Sequence, residues 1–477
     1  MEQSAFSATK KAQRDFGAAA NEPISKAEPK PSLSLTDAVA LIVGIVVGAG
    51  IFRVPSLVAA NAGSETAFLA AWAIGGLVSL VGALCYAELA STFPSAGGDY
   101  HFLTRAYGRK LSFLYAWARM SVIQTGSVAL LSFIFGDFAS QIFRLGEFSS
   151  AIYAVLIVVL LTAINIAGIG FGTGTQKLLT AIEVLGVTAV IVAGIAAAPN
   201  ETQGAGTQTG TAAFGLTMVF VLLTYGGWNE AAYISAEMRG SRRRIAQALI
   251  AGILIVTVLY LLVNMAYLSA LGLHGLAQSE AAASDAMRGA FGSFGAQFIG
   301  VLVAISAITS ANATIFTGAR TNYALGRDFP VLSALGKWNE SSNAPVNAFL
   351  AQGAVALLLI GLGVVTRKGF ETIVEYTAPV FWSFFLLTGI SLFILRRKEP
   401  HIERPFRVPL YPLTPVVFCL TSLYLLYSSL AYTGAGALIG VAVLAVGAVL
   451  LALVSRADAF LNPNQMQEGN NDADKEN

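Results

Sequence analysis

The sequence is poor in the residues from which soluble enzymes build their chemistry. Of 477 residues only 12% are charged, three are histidine and two are cysteine. Cys85 and Cys419 both fall in apolar runs, which argues against a disulfide framework, a cysteine metal site or a disulfide-linked partner. His101, His274 and His401 are isolated in loop-like stretches, with no HxxxH spacing and no Ser/Asp cluster. A metallohydrolase or membrane protease is therefore not expected, nor any other enzyme, since a nucleophile–base pair is missing too. An apolar leader core is also lacking: residues 1–33 are polar, carry five Lys/Arg and read as a disordered tail. No basic domain suggests nucleic acid, and no cofactor motif is present.

What the chain has instead is hydrophobic residues, 55% of the total, together with 47 glycines. An apolar run of about 20 residues crosses a bilayer core. By that rule about twelve spans are expected, roughly at 36–62, 66–93, 110–143, 150–169, 174–198, 212–237, 245–272, 292–325, 346–366, 370–395, 408–431 and 434–455. The third and eighth are long enough to tilt or to extend beyond the bilayer. The formal charge of +2 says little as a sum, but its distribution sets orientation. Segments on one side hold Lys10, Lys11, Arg14, Arg105, Arg109, Arg242, Arg243, Arg244, Arg396, Arg397 and Arg407, among others. The opposite loops hold only Arg144, Arg288, Arg367 and Lys368. Positive charge gathers inside, so both termini are expected in the cytoplasm, and a bacterial inner membrane is the expected location. The last stretch, 456–477, reads as a second cytoplasmic tail.

Two spans are weak where a helix should be strong. The first reads GIVVGAGIFRVP over 44–55, with Gly44, Gly48 and Gly50 at its middle. A glycine costs a helix interior about 1 kcal/mol relative to alanine. The sixth carries Gly226 and Gly227 at its middle, followed by Trp228, Asn229 and Glu230. Small residues also serve close helix packing, so either cluster alone is weak evidence. These two spans, however, open two successive blocks of five, and an odd block length inverts the second block relative to the first. Paired interruptions at matching positions of inverted halves point to a transporter's binding site. Broken helices expose amide donors and carbonyl acceptors together, which suits a zwitterionic amino acid.

Five ordered stretches carry a family resemblance. GAGIFRVPSLVA (48–59), CYAELASTFPSAGGDYHFLTRAYG (85–108), YGGWNEAAYISAEMRG (225–240), TSANATIFTGARTNYALGRDF (309–329) and LRRKEPHIERPFRVPLYPLTP (395–415) resemble the amino acid–polyamine–organocation (APC) superfamily, in its L-type amino acid transporter branch. The resemblance spans about 34–455. It implies an all-α polytopic membrane protein of twelve transmembrane helices: a five-plus-five inverted repeat of the leucine-transporter type (34–200 and 201–398), then two further helices (399–455). Carried over, Ala49, Gly50 and Ile51 present amides to the substrate carboxylate. The carbonyls of Val46, Leu223 and Gly226 take the α-amine, and Trp228, Asn229 and Glu230 open the lower half of span six. Leu223 stands where many L-type members place an aromatic gate. Glu183 stands in span five where many relatives carry a lysine, while Lys177 lies a turn and a half earlier.

Ionisable groups inside a span mark function by default. Glu183 is expected to titrate and couple transport to protons; sodium, held with Ser306 or Ser310, ranks below that. Glu230 is expected either to attract a cationic substrate or to bond Gln124 or Tyr376. Glu88 and Glu237, at cytoplasmic helix ends, are expected to bind loops or neighbouring arginines, Arg119 to snorkel or pair with Glu88, and Arg53 to face the extracellular vestibule or meet a carboxylate. The expected function is secondary transport of L-amino acids by alternating access, proton-linked or by antiport. A cationic amino acid or polyamine permease, or a non-cycling sensor on the same helices, are the alternatives. The substrate and the lipid bilayer are the expected partners, and a homo-oligomer is compatible with the sequence.

Overall fold

The computed structural model describes residues 33–461, apart from 96, 168–172, 197–210, 236–237, 330–331, 340–341, 343, 367–368 and 433–434. Over these residues the chain is helical, with no β-strand beyond two isolated bridges. Among the described residues nine helices are long and apolar enough to cross a bilayer, and two shorter apolar helices, Leu35–Val46 and Thr180–Ala196, accompany them. Many of their large apolar side chains, such as Leu77, Leu156, Val258 and Leu358, are exposed. In water that would be unfavourable; in a bilayer it is the lipid-facing surface.

The first expected span is three pieces: α1 (Leu35–Val46), a 3₁₀ turn (Ala49–Phe52) and α2 (Val54–Asn61). A capping box starts α1, with the Ser34 hydroxyl accepting from Asp37 N at 3.2 Å and Ser34 N donating to the Asp37 carboxylate at 3.1 Å. It ends because Val47 (ψ 63°) and Gly48 (ψ −172°) leave helical geometry. Pro55 then sits in the first turn of α2, where its missing N–H costs nothing. Of the three glycines of the run, Gly44 is not part of the break. It stays in α1, where a Cβ would lie 2.1 Å from the Thr180 hydroxyl, so it serves close packing against the fifth span.

After α3 (Glu65–Thr92) the loop before the third span folds into a short helix, α4 (Gly98–Tyr107). The third span starts as α5 (Arg109–Ala118), passes through one π-helical turn (Arg119–Ile123) and continues as α6 (Gln124–Ile142). Next come α7 (Ser149–Ile166) and α8 (Thr173–Ala196). The sixth span is α9 (Thr211–Thr224), then a 3₁₀ turn, Trp228–Ala232. Gly227 joins them at φ +103°, a conformation that L side chains rarely adopt.

The remaining helices are α10 (Arg243–Gln278), α11 (Ala282–Asp328), α12 (Val346–Thr366), α13 (Gly369–Lys398), α14 (Leu413–Tyr432) and α15 (Ala435–Leu461). Spans three and eight, expected to be long, run 34 residues over Arg109–Ile142 and 47 in α11, the latter bent at Gly292 (φ +66°), but the seventh, α10, with 36 residues is longer than the third. The last helix runs to Leu461, past the end expected near 455. The largest buried core joins α1, α3, α9 and α10 around Trp72, Tyr225 and Tyr260.

Candidate functional site

The two breaks face each other. Ile45 and Gly227 are in direct contact: a Cβ on Gly227 would lie 2.9 Å from Ile45 Cγ2 and 3.2 Å from its carbonyl. Around this crossing lies a cavity of about 350 Å³. Its walls are the breaks at 44–50 and 223–230, the π turn of the third span, α11 near Ser310–Thr317 and α13 near Thr377–Thr388. The size falls at the small end for ligand pockets, and the lining mixes aliphatic and aromatic surface with a few polar groups.

Of the residues expected to bind substrate, Val46, Ala49, Gly50, Leu223, Gly226, Asn229 and Glu230 line this cavity. Among the described residues, no backbone acceptor meets the amides of Ala49 and Gly50, as the first turn of a 3₁₀ helix requires. The Leu223 carbonyl accepts from Gly226 N at 3.0 Å and keeps one lone pair. The Val46 carbonyl is taken twice, by Gly48 N at 2.8 Å and the Tyr260 hydroxyl at 2.7 Å. Its neighbour Ile45 also lines the cavity, and no backbone donor meets its carbonyl among the described residues.

Ile51 and Trp228 are not in the cavity wall. Ile51 is fully buried, and Trp228 packs edge-on to Tyr86 at 5.1 Å and against Phe385 and Phe418. The apolar indole drives it behind the site, whereas Asn229 and Glu230 remain on the open side.

The charges pair differently from the sequence reading. Arg119, 3% exposed, bonds Glu230 at 3.0 Å and the Tyr233 hydroxyl at 2.8 Å, and lies 4.6 Å from the Tyr233 ring centroid. Glu88 does not meet Arg119 but binds arginines and a loop amide, as expected of its helix end. Fully buried, it receives Arg396, Arg404 (3.2 Å) and Val408 N (2.7 Å), tying α3 to the last turn of α13 and the segment after it. Glu237 lies outside the described residues. Neither alternative partner reaches Glu230: Gln124 donates to Thr314 O and Tyr376 to Ser121 O. Arg53 does meet a carboxylate, Asp137 of α6, at 3.8 Å.

Asp99 of α4 was not legible as a site residue, since it sits in a loop sequence. It is buried beside the Arg119 cluster, accepting from Tyr115 at 3.3 Å, and burial pushes its carboxyl up to about 6. Glu183 lies outside the cavity wall, 3% exposed on α8. One of its oxygens accepts from Ser306 of α11 at 2.9 Å; the other has no hydrogen-bond partner among the described residues. Among the described residues no cluster of His, Cys, Asp and Glu has the makings of a metal site.

Apolar helices packed around two broken ones, with a cavity where the breaks cross, define a membrane transport protein. Residues 33–454 match the amino acid permease family, and the chain belongs to it. It is a transporter of the APC type and not an enzyme. The chain is 31% identical over 408 residues to the b(0,+)-type amino acid transporter 1 of Mus musculus, covering 83% of this chain and 81% of that one. It is 28% identical to the serine/threonine exchanger SteT of Bacillus subtilis (strain 168), covering 84% and 91%. It is also 29% identical to the large neutral amino acids transporter small subunit 2 of Mus musculus, covering 84% and 76%.

Proposed function

We propose that the protein exchanges neutral L-amino acids across a bacterial inner membrane by alternating access, with twelve spans and both termini in the cytoplasm. The observation that carries this reading is the crossing of two broken helices at one cavity. There the free amides of Ala49 and Gly50 suit a carboxylate, and the Leu223, Gly226 and Ile45 carbonyls suit an ammonium. Binding both ends of the zwitterion fixes the α-carbon, and the rest of the cavity takes the side chain. Antiport is favoured because one relative is named an exchanger. The pairing of Glu230 with Arg119 compensates its charge, which favours neutral over cationic side chains.

Two ion pairs bracket the cavity, both anchored on the third span. Arg53 with Asp137 lies toward the extracellular end, and Glu230 with Arg119 lies toward the cytoplasmic end. Opening either end separates one pair while the other stays closed. Glu183, unpaired with any cation among the described residues, is the coupling group of this scheme. A proton on its free oxygen removes the charge that burial penalises. The chain works without a disulfide-linked subunit, because Cys85 is buried and Cys419 lies in α14.

The test is uptake of labelled serine and leucine into proteoliposomes preloaded with unlabelled amino acids. Uptake should need internal substrate, and free amino acids should compete while their methyl esters and N-acetyl forms do not. Equal competition by the blocked forms would overturn the headgroup assignment. If Glu183 couples a proton, Glu183→Gln should exchange normally yet lose any response to a pH gradient; an undiminished response refutes that role.

A further inference from the structure

Tyr260 of α10 has no place in the scheme so far, yet its position is unusual. The side chain is fully buried, and its single hydroxyl reaches the Val46 carbonyl of the first break at 2.7 Å and the Thr224 carbonyl of the second at 3.1 Å. Both carbonyls lie at helix ends, where the chain's own ladder stops: among the described residues that of Thr224 meets no backbone donor, and that of Val46 accepts from Gly48 N alone, at 2.8 Å. In a bilayer interior an unmet carbonyl is costly, so a donor placed between the two breaks stabilises both. Because one proton serves two acceptors, the hydroxyl is satisfied only while the two carbonyls stay within reach of the same point.

The ring is held as firmly as the hydroxyl. Trp72 packs edge-on to it at 5.8 Å and Tyr225 at 4.9 Å, while Tyr225 in turn donates to Trp72 O at 3.0 Å. Tyr260 itself does not line the cavity and cannot touch a bound amino acid.

From this geometry we infer that Tyr260 is the positioning residue of the headgroup site, an inference that rests on the transport reading above. Its hydroxyl fixes the separation of the two broken helices, and so the distance between the amides that take the carboxylate and the carbonyls that take the ammonium. Affinity for every substrate depends on that distance, since all amino acids share the headgroup.

The experiment compares Tyr260→Phe with wild type in proteoliposome exchange, with Tyr225→Phe as a control that removes a buried hydroxyl from the same aromatic cluster. Tyr260→Phe should raise KM about tenfold for serine, alanine and leucine alike, with the maximal rate within about twofold. Tyr225→Phe should raise KM much less. A lowered maximal rate at unchanged KM, or an equal rise in both variants, would reduce Tyr260 to a packing residue and overturn the inference. Where Tyr260→Phe yields no folded protein, Trp72→Phe decides: it keeps the hydroxyl but loosens the ring, and should raise KM for all three substrates together. Unchanged KM refutes the inference.

Hydrogen exchange without substrate separates this inference from the transport reading. Peptides covering 46–52 and 222–230 should exchange about tenfold faster in Tyr260→Phe than in wild type, and unchanged exchange overturns the clamp. Wild type that takes up no amino acid would instead overturn the transport reading and leave the exchange result to decide on Tyr260.

Discussion

The Arg119–Glu230 pair is the contact on which the cytoplasmic end of the cavity depends, and a double-mutant cycle measures it. Arg119→Met removes the 3.0 Å bond to Glu230, the 2.8 Å bond to Tyr233 and the cation over the Tyr233 ring. Hydrogen bonds to charged groups contribute about 1.5–3 kcal/mol each, and stripping one partner from a fully buried pair costs about 3–5 kcal/mol. Glu230 keeps 27% of its side chain exposed, so the left-over carboxylate retains part of its hydration. A net loss of about 3 kcal/mol is therefore expected, at the low end of that range. Glu230→Gln should cost a similar amount, because Arg119 is the more deeply buried partner.

With both changes made, no charge is stranded, and the double variant should be more stable than the sum of the singles by about 1.5–3 kcal/mol. Unfolding in mixed micelles gives the four free energies. A matching functional readout is labelling of Thr388→Cys, a buried cavity position, by an impermeant thiol reagent from the cytoplasmic side. Each single variant should label faster than the parent, since the closed end has lost its latch. Strict additivity, or unchanged labelling, would refute both the coupling and the latch.

Three further outcomes follow from individual contacts. Gly227→Ala forces an L side chain to φ +103° and sets its Cβ 2.9 Å from Ile45, so exchange should fall at least tenfold with the protein still folded; near-normal exchange would contradict the tight crossing. Glu88→Gln removes the charge that holds Arg404 and Arg396 together, and should cut the yield of folded protein in size-exclusion profiles without altering the KM of what survives. Burial raises the Asp99 carboxyl from 3.8 to about 6, so the folded state binds more protons than the unfolded one across that window. Its contribution to stability should therefore decline as pH rises from about 4 to 6 and level off above, and Asp99→Asn should flatten that part of the melting-temperature profile.

Span positions were legible because the signal is one-dimensional. A run of apolar residues long enough to cross a bilayer shows in the sequence alone, and most helix ends fall within a few residues of their expected places. The breaks were legible for the same reason, since glycines in mid-span are a local departure that needs no knowledge of neighbours. Pairing of charges was not. Glu88 and Arg119 both sit in cytoplasmic halves of their spans; the sequence suggests arginines or loops for Glu88, but nothing in it singles out Arg396 and Arg404. Tyr115, Tyr233 and Tyr260 read as ordinary members of apolar runs. Only packing shows which of them donate inward.

The sequence by itself determined that this chain lives in a membrane, how its charged loops are distributed, and where two of its helices must fail. Backbone propensity and hydropathy are properties of a residue and its near neighbours, so they survive the loss of all tertiary information. Tertiary structure alone decided that the two failures meet at one cavity, that Trp228 turns behind it, that Val46 gives its carbonyl to Tyr260, and that Glu230 is matched by Arg119. Each of those is a contact between residues 111 to 214 positions apart, and the turn of Trp228 follows from its packing on α3, α13 and α14. Such contacts exist only once the helices have packed, because direction and distance between side chains are set by the packing and not by the order of residues along the chain.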